Sequence, residues 1–391
     1  MSAPGENSNT NPISSSSLLI EQIVRSLYQN LPLLQKKQIL AGFDGFIDTL
    51  ARPVQNSSVG SVGENGSDKK NEFFETIGEF GAYIAAHANR STSVQYETSR
   101  KRMGGNMPNF VAALDALSVP AMAVGMLSDE AGAIDPIFAG LGKERFSFLA
   151  AGSAMAFEFT DGKIFFSPVE TGGVIRGEKM FPRIEKAFPE FCTFTAAADL
   201  IAFLNWSELP FSPDLWEDVF IKALYPAPPD KTRFAFFDLS DTSAKSRLEI
   251  EGLISLLRKT GGRRATILSL NKNEAADINR KTGGKNSSSN IMSEIAESLY
   301  SRFCLDELVI HHCEESISLS PADGLVRVRC AVNSCPKVST GAGDNFNAAY
   351  CFASLAGLPA AEKLIFANAY AAAYIASGSS PPLAVLLKET Q

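Results

Sequence analysis

The chain has 391 residues, of which 45% are hydrophobic and 20% charged, a composition typical of a globular protein and inconsistent with disorder over the whole length. Its formal net charge is −7, with 36 Lys and Arg against 43 Asp and Glu, so it has no general attraction for nucleic acid or an anionic membrane. No uncharged apolar stretch is long enough to span a bilayer, so no transmembrane helix is expected.

Cysteine usage and the N-terminal residues indicate a cytoplasmic protein. The six cysteines form no Cys-x-x-Cys pair and there are only three histidines, so zinc-ligand spacing is absent and reduced structural thiols are expected. Residues 1–17 are rich in Ser and Asn and lack the basic start and apolar core of a signal peptide. We therefore expect a disordered tail over residues 1–17, followed by one domain over residues 18–391.

The first part of the domain predicts strands and helices around a long polar loop. The loop is predicted at Gln55–Asn71, because Gly, Ser and Asn dominate there and nothing in the segment could be buried. Apolar content and helical spacing on either side predict, in chain order, a strand at Ile39–Ile47, helices at Phe73–Ala86 and Asn109–Leu117, and a strand at Ala121–Met126.

Farther along, short apolar runs are each followed by polar residues and then by a helix-like stretch. This rhythm favours a parallel sheet with helices on both faces. The predicted strands are Leu200–Leu204, Phe234–Asp238, Ala265–Leu270 and Leu308–His311. Ala154–Phe166 breaks the rhythm, because it alternates apolar and polar residues and turns at Asp161-Gly162, which predicts an antiparallel hairpin. This hairpin is either an appended flap or an edge hairpin with no role.

The most specific functional motif is Ser339-Thr340-Gly341-Ala342-Gly343-Asp344, which leads into a helix of small residues. A Gly-x-Gly turn at a helix start aims several backbone N–H groups at one point, and these groups together with the helix dipole suit a phosphate. A carboxylate there would repel phosphate, unless Asp344 accepts a proton from an attacking hydroxyl. The alternative is a tight turn in which Asp344 only caps the helix.

Motifs of several other enzyme classes are absent from the sequence. It contains no Gly-x-x-x-x-Gly-Lys-Ser/Thr, no Gly-x-Gly-x-x-Gly, no His-Arg-Asp or Asp-Phe-Gly, and no Gly-x-Ser-x-Gly. These absences argue against a P-loop enzyme, a dinucleotide-binding protein, a protein kinase and an α/β-hydrolase. The phosphate chemistry therefore belongs to another architecture.

Three further groups of residues could face a ligand. Gly104-Gly105-Asn106 and Asn109 begin a helix, and their amides suit a polyhydroxyl ligand, although a capped Gly-Gly turn fits the same residues. Asp48 ends the first predicted strand, where carboxylates face the crevice of open α/β sheets. Asn271-Lys272-Asn273-Glu274 follows a strand, and its Asn and Glu either hold hydrated Mg²⁺ near phosphates or cap a helix.

In this order, the four groups resemble the PfkB family of carbohydrate kinases within the ribokinase-like superfamily. The resemblance runs from Gln38 to the C-terminal region and implies a ribokinase-like three-layer α/β/α sandwich with a mainly parallel central sheet and a small β-containing lid. Lid elements are expected within residues 49–103 and 150–170, which include the hairpin. The implied reaction is Mg²⁺-assisted transfer of the γ-phosphoryl group of ATP to a hydroxyl of a sugar or sugar-like molecule.

The resemblance also implies roles for individual residues. Asp344 would be the catalytic base, and the backbone amides of Gly341, Ala342 and Gly343 would form the anion hole. The residues implied to contact the acceptor are Asp48, Gly105, Asn106 and Asn109. Those implied to bind the nucleotide are Asn271, Glu274, Thr340 and Asn368, with Glu274 organising Mg²⁺ through water.

Three departures from the family pattern indicate a divergent branch. Val338-Ser339 stand where the family usually has Asp-Thr, and that Asp helps to bind an activating monovalent cation in some members, so potassium activation is not expected to carry over. The segment from Gly42 to Asp48 is one residue longer than usual, a spacing closer to that of ADP-dependent sugar kinases. The long stretch between Asp48 and Gly104 carries its own helix, which indicates an enlarged or rebuilt lid.

Several alternatives stay open on the sequence. The acceptor could be a nucleoside, the donor could be ADP, or the chain could be a kinase-like binding or scaffold protein without catalysis. The joint presence of Asp344, both anion-hole glycines and Glu274 argues against the last. Lid edges could pair two subunits into a homodimer. Arg100-Lys101-Arg102 could hold a phosphate already on the substrate, although such a charge run is more often a solvated surface.

Overall fold

The structure is a computed structural model, and it describes residues 13–14, 16–56, 71–168, 178–284, 292–330, 337–338 and 340–388. The strands, β1 to β15 in chain order, are Ile13–Ser14, Ile39–Gly42, Phe46–Asn56, Glu72–Phe73, Tyr96–Gly104, Met122–Ser128, Glu144–Ala150, Gly152–Phe159, Gly162–Phe166, Leu200–Leu204, Phe234–Asp238, Ala265–Asn271, Glu307–His311, Glu315–Ser320 and Gly324–Arg329. The helices, α1 to α12, are Ser17–Leu34, Ile77–Ala86, Asn106–Ala116, Phe181–Ala187, Phe191–Ala197, Ser212–Val219, Arg247–Gly261, Lys272–Lys281, Met292–Phe303, Ala342–Leu355, Ala360–Ser377 and Val385–Lys388.

The larger of two sheets has ten strands in the order β1-β15-β14-β13-β12-β11-β10-β2-β6-β7. Of these described strands β14 alone is antiparallel to its neighbours, and the other pairings are parallel. At the centre, β10 and β11 run in register from Leu200 opposite Phe234 to Leu204 opposite Asp238. The expected mainly parallel sheet is therefore confirmed.

Alternate residues of the parallel strands point to opposite faces of this sheet, and helices cover both faces. Ile201, Phe203 and Phe237 face a hydrophobic core formed with helices α4 to α9. Ala202 and Phe236 face a second core, formed with α1, α3, α10, α11 and α12. The two cores give the three α/β/α layers that the resemblance implies.

Five strands form the smaller sheet, in which β3 pairs with β4, β5 and β8, and β9 pairs with β8. The predicted hairpin is confirmed, since β8 and β9 are antiparallel and joined at Thr160-Asp161. Helix α2 packs on this sheet through Phe80, whose ring makes edge contacts with Phe74 and Phe157. The smaller sheet thus has a hydrophobic core of its own.

Two elements near this sheet differ from the prediction. The predicted strand Ile39–Ile47 is divided, because β2 ends at Gly42 in the larger sheet and β3 begins at Phe46 in the smaller one. The chain crosses between the sheets close to β6, where a Cβ on Gly45 would lie 2.2 Å from the carbonyl oxygen of Met126. The predicted helix Phe73–Ala86 starts only at Ile77, after the capping box that Thr76 forms with Glu79.

The predicted tail and loop lie largely outside the described residues. Within the tail, Ile13–Ser14 pairs in parallel with Val328 and Arg329 at the sheet edge, and α1 begins at Ser17, so the chain is ordered at these positions. Positions 57–70 of the predicted loop are not described. Among the described helices, none is both long and apolar enough to cross a bilayer.

A buried ion pair fastens helix α11 to the larger sheet. Lys363 Nζ lies 2.6 and 2.7 Å from the two carboxylate oxygens of Glu307 on β13, and both side chains are about nine-tenths buried. The hydroxyl of Tyr350, on α10, donates to the same carboxylate. Two helices and a strand thus share one buried negative charge.

Replacing Lys363 is therefore expected to be costly. Lys363→Met would leave the Glu307 carboxylate buried without a cation, and should lower the free energy of unfolding by about 3–5 kcal/mol in urea denaturation. The matched control is Lys259→Met, because its partner Glu217 and Lys259 itself are about half exposed, and the expected loss is below about 1 kcal/mol. Equal losses in the two variants would contradict this account.

Candidate active site

Polar residues gather at the carboxyl ends of the central parallel strands. Asp44 follows β2, Asn205 follows β10, Asp238 ends β11 and Asn271 ends β12. In open α/β sheets the ligand crevice lies at this edge, where the strand order reverses direction, and here β2 lies between β10 and β6. Helix α3 enters this crevice with its N-terminus.

Asp44 holds the start of helix α3. One carboxylate oxygen accepts the backbone N–H of Asn106 and the other accepts that of Met107, each at 2.7 Å, and the side-chain amide of Asn205 donates at 3.0 Å. The carboxylate lies so close to Gly105 that a Cβ there would be 2.7 Å from Asp44 Oδ2. Gly105 also has a φ of +93°, which favours glycine. The Gly-Gly turn therefore fits around this carboxylate.

The sequence analysis did not identify Asp44 as a site residue, although Asp44 lies within the segment from Gly42 to Asp48. Burial raises the pKa of Asp44 to about 7, against the lowering effect of the hydrogen bonds from Asn205, Met107 and Asn106. Residues just beyond a strand end reach the crevice, but the sequence predicts one strand over Ile39–Ile47, which hides the end of β2 at Gly42.

Helix α3 carries two amide side chains to two distant carboxylates. Asn109 Nδ2 donates to Asp344 Oδ2 at 3.0 Å, across 235 positions in sequence. Asn106, one turn earlier, lies 3.5 Å from Asp238 through its Nδ2 and accepts a hydrogen bond from Ser240 Oγ at 3.0 Å. Since residues three apart share one helix face, the spacing of the two asparagines allows both contacts.

Thr340 and the Gly-Ala-Gly-Asp residues form a sharp turn into helix α10. Gly341 precedes the helix with a φ of +90°, and the hydroxyl of Tyr374 on α11 donates to the Thr340 carbonyl at 2.8 Å. The first backbone N–H groups of an α-helix lack partners within the helix, so those of Ala342, Gly343 and Asp344 are oriented to bind an anion, whereas the N–H of Asn345 donates to the Gly341 carbonyl at 3.0 Å. The geometry expected from the motif is present at this turn.

Asp344 is buried in the first turn of α10, next to other carboxylates. Burial is the main cause that raises its pKa well above the ordinary value, and the charges of Asp238 and Asp44 raise it further, while the bond from Asn109 lowers it. Asp238 is itself held by Asn347 Nδ2 at 2.6 Å. Amides hold both carboxylates, and neither forms an ion pair within the described residues.

Asn271 and Glu274 cap helix α8 reciprocally. The Glu274 N–H donates to Asn271 Oδ1, and the Asn271 N–H donates to Glu274 Oε2, each at 2.9 Å. Glu274 is also buried, and its pKa is raised well above the ordinary value, first by burial and then by the charge of Asp238. The predicted cap is thus present, and it brings the carboxylate within electrostatic reach of the crevice.

Two predicted site residues form no hydrogen bond to the residues described above, among the described parts of the chain. Asp48 was placed at the end of the first strand, which is wrong, because that strand ends at Gly42 and Asp48 lies within β3 of the smaller sheet. Its carboxylate contacts Arg102 on β5. Asn368, on α11, donates to Ser316 Oγ on β14 at 2.8 Å.

Comparison with known proteins places this architecture in a family. A sequence model of the prokaryotic ketohexokinase family matches residues 19–389. A ketohexokinase from Haloferax volcanii is 23% identical over 347 residues, which cover 88% of each chain.

Solved structures of sugar and nucleoside kinases share the fold. Arabidopsis thaliana ribokinase complexed with ribose and ATP has a TM-score of 0.57 at 16% identity, over 91% of this chain and 98% of that one. A Burkholderia thailandensis nucleoside kinase in complex with inosine has a TM-score of 0.58 at 17% identity, over 90% and 97%. An Escherichia coli phosphofructokinase-2 variant has a TM-score of 0.60 at 12% identity, over 90% and 98%. The fold is thus ribokinase-like.

The turn at Gly341 should tolerate no side chain. In Gly341→Ala, the positive φ would strain the backbone, and the new Cβ would lie 2.6 Å from the Tyr374 hydroxyl oxygen, so a loss of about 1–3 kcal/mol in unfolding free energy is expected. The control Gly252→Ala, in helix α7 with no atom within 4 Å of its Cβ, should instead gain about 0.5–1 kcal/mol. Denaturant titration measures both, and a stable Gly341→Ala variant would contradict the described turn.

Proposed function

We propose, from the premise that the chain belongs to the prokaryotic ketohexokinase family and is a carbohydrate kinase, that it transfers the γ-phosphoryl group of ATP to a hydroxyl of a ketose. One observation carries the proposal beyond the family: Asn109 bonds to Asp344 at 3.0 Å. This contact brings the Gly-Gly-Asn helix to the turn of the Gly-Ala-Gly-Asp motif. The two motifs can therefore act on one acceptor hydroxyl.

In the proposed reaction Asp344 is the general base. The acceptor oxygen attacks the γ-phosphorus in line, the new O–P bond forms, and the bond from the γ-phosphorus to the β-γ bridging oxygen breaks to release ADP. The hydroxyl proton passes to the Asp344 carboxylate. Burial and neighbouring carboxylates raise the pKa of Asp344, and a raised pKa makes its ionised form a stronger base.

The turn before α10 is proposed to stabilise negative charge on the transferring group. The backbone amides of Gly341, Ala342 and Gly343 lie at the positive end of a 14-residue helix, where unpaired N–H groups suit phosphoryl oxygens. Tyr374 fixes this turn through the Thr340 carbonyl. The amides are already oriented, so charge can develop without moving the backbone.

The acceptor is proposed to bind between helix α3 and the smaller sheet. Asn106 and Asn109 can donate and accept hydrogen bonds, Asp48 can accept them, and Gly105 leaves room for close approach. These four residues suit the hydroxyl groups of a ketose. The strands at residues 49–103 and 150–170 would form the lid over this acceptor, as part of one kinase domain over residues 18–391.

The nucleotide phosphates and Mg²⁺ are proposed to lie near Asn271, Glu274 and Thr340, with Asn368 near the base. When bound, Mg²⁺ neutralises charge on the phosphates. The described residues contain no cluster of three or more side chains able to hold a metal directly, which supports contact of Glu274 with the ion through water.

A second capping box supports a role for Glu274 beyond capping. Glu249 caps α7 with Ser246 by the same pair of bonds, and these hydrogen bonds lower its pKa. The pKa of Glu274 is raised instead, by burial and by the nearby charges of Asp238 and Asp241. Mg²⁺ takes carboxylate oxygens as ligands, and a cation here would offset the repulsion between the charges of Glu274 and Asp238. The donor set at Glu274 therefore fits the ion.

Asp344→Asn tests the base. The variant should bind ATP with a dissociation constant close to that of the wild type, yet lose turnover with a ketohexose by roughly 10²–10⁴-fold, since the amide cannot take the proton. The control is Asp323→Asn, in an exposed turn between β14 and β15, which should keep full turnover. Wild-type turnover in Asp344→Asn would rule out the proposed mechanism.

Glu274→Gln tests the Mg²⁺ assignment without an activity assay. In the presence of ADP, Mg²⁺ should raise the Tm of the wild type by about 2 °C or more, and this rise should vanish in Glu274→Gln. Glu249→Gln weakens an equivalent helix cap and should keep the rise. If both variants respond to Mg²⁺ like the wild type, Glu274 has only a capping role.

A further inference from the structure

Arg102 does not belong to a solvated charge run. Arg100 and Lys101, its neighbours on β5, are exposed, whereas the Arg102 side chain is only 19% exposed. Its Nε is buried and has no hydrogen-bond partner among the described residues. Its one side-chain hydrogen bond among the described residues is to Asp48 on β3, where Nη2 lies 3.4 Å from Oδ2. The prediction of a surface run therefore fails at this position.

The fold supplies too few hydrogen bonds to the Arg102 side chain to offset the cost of removing it from water. A buried guanidinium normally forms several hydrogen bonds. One hydrogen bond alone does not offset the free energy lost when the charge is removed from water. Arg264 illustrates the satisfied case, since it donates to the carbonyls of Ala198, Thr195 and Ala196. Arg102 has one long contact and one orphaned donor. A purely structural role thus explains Arg264 but not Arg102.

The partner of Arg102 has open hydrogen-bonding capacity. Asp48 lies directly opposite Arg102 in the β3–β5 register, its side chain is 9% exposed, and Arg102 is the one hydrogen-bond donor to its carboxylate in the described part of the chain. A carboxylate has about four acceptor positions, so most of its capacity is open. A Cβ on Gly104 would lie 2.4 Å from Asp48 Oδ1. The carboxylate therefore borders the Gly-Gly-Asn turn, beside the proposed acceptor position.

The electrostatics of Asp48 depend on this pair. Burial raises the pKa of Asp48, while the charge and hydrogen bond of Arg102, and more weakly the charge of Lys163 on β9, lower it. Lys163 itself pairs with Glu158 at 2.9 Å. Arg102 is thus the main group that favours the ionised form of Asp48.

We propose that Arg102 is a positioning residue for acceptor binding: it holds the Asp48 carboxylate ionised and oriented, so that Asp48 accepts hydrogen bonds from two hydroxyl groups of the sugar. The inference rests on the proposed function and extends it to a residue outside the family motifs. Because only an ionised carboxylate is acceptor-only, Arg102 sets the preference of this position for hydroxyl donors.

Arg102→Gln removes the charge while keeping much of the side-chain length. The KM for a ketohexose should rise by roughly tenfold to a hundredfold, with a smaller change in kcat and an unchanged dissociation constant for ATP. The acid limb of the kcat/KM profile should move to higher pH, since Asp48 without the guanidinium ionises only at higher pH. Arg102→Lys should restore most of the affinity, and the exposed neighbour variant Lys101→Gln should resemble the wild type.

A double-mutant cycle separates this role from a structural one. In an Asp48→Asn background, Arg102→Gln should raise the ketohexose KM little further, because the carboxylate that it serves is gone. This double variant also covers the case in which Arg102→Gln alone does not fold, since it leaves no buried carboxylate unpaired. Its KM should equal that of Asp48→Asn.

Fully additive effects in that cycle, or an Arg102→Gln variant with a lower Tm but the wild-type KM and pH profile, would overturn the inference while leaving the proposed function intact. A wild-type protein that phosphorylates no ketohexose and binds none in calorimetry would overturn both. The two failures are therefore distinguishable.

Discussion

The crevice depends on buried carboxylates that form no ion pair within the described part of the chain. Asp44, Asp238 and Asp344 lie at the strand ends or at a helix start, and amide or backbone N–H groups hold them without neutralising them. Burial raises the pKa of all three, so each binds a proton more tightly than it would in water. Folding alone does not favour such a concentration of charge. In the proposed reaction, a hydroxyl proton and a cation-bound nucleotide would be the partners of these carboxylates.

Helix α3 links the parts of this site. Asp44 fixes its first turn, and the fixed helix presents Asn106 and Asn109 to Asp238 and Asp344, which lie 132 and 235 positions farther along the chain. The glycines before the helix approach the carboxylates of both sheets, as the short distance from Gly104 to Asp48 shows. A substitution at these glycines would therefore affect both the proposed base and the proposed lid.

The sequence predicted the elements whose bounds depend on local pattern, and it missed features that depend on contacts between distant residues. Strand β10 at Leu200–Leu204 was predicted to the residue, because polar residues bound a short apolar run on both sides. The division between β2 and β3 was missed, since residues on both sides of the break are apolar and the break depends on contact with Met126, far along the chain. The contact of Asn109 with Asp344 was not predicted, because motif order does not show which side chains meet in the fold. The burial of Arg102 could not be predicted, because it depends on the cross-strand register.

Acceptor-dependent consumption of nucleotide is the most direct measurement of the proposed activity. Purified protein with Mg²⁺ would be given a ketohexose, an aldohexose and a nucleoside, each with ATP and then with ADP. We expect the highest kcat/KM for the ketohexose with ATP. Turnover confined to nucleosides or to ADP would contradict the assignment of acceptor or donor, and no acceptor-dependent turnover with any pair would contradict the kinase mechanism itself.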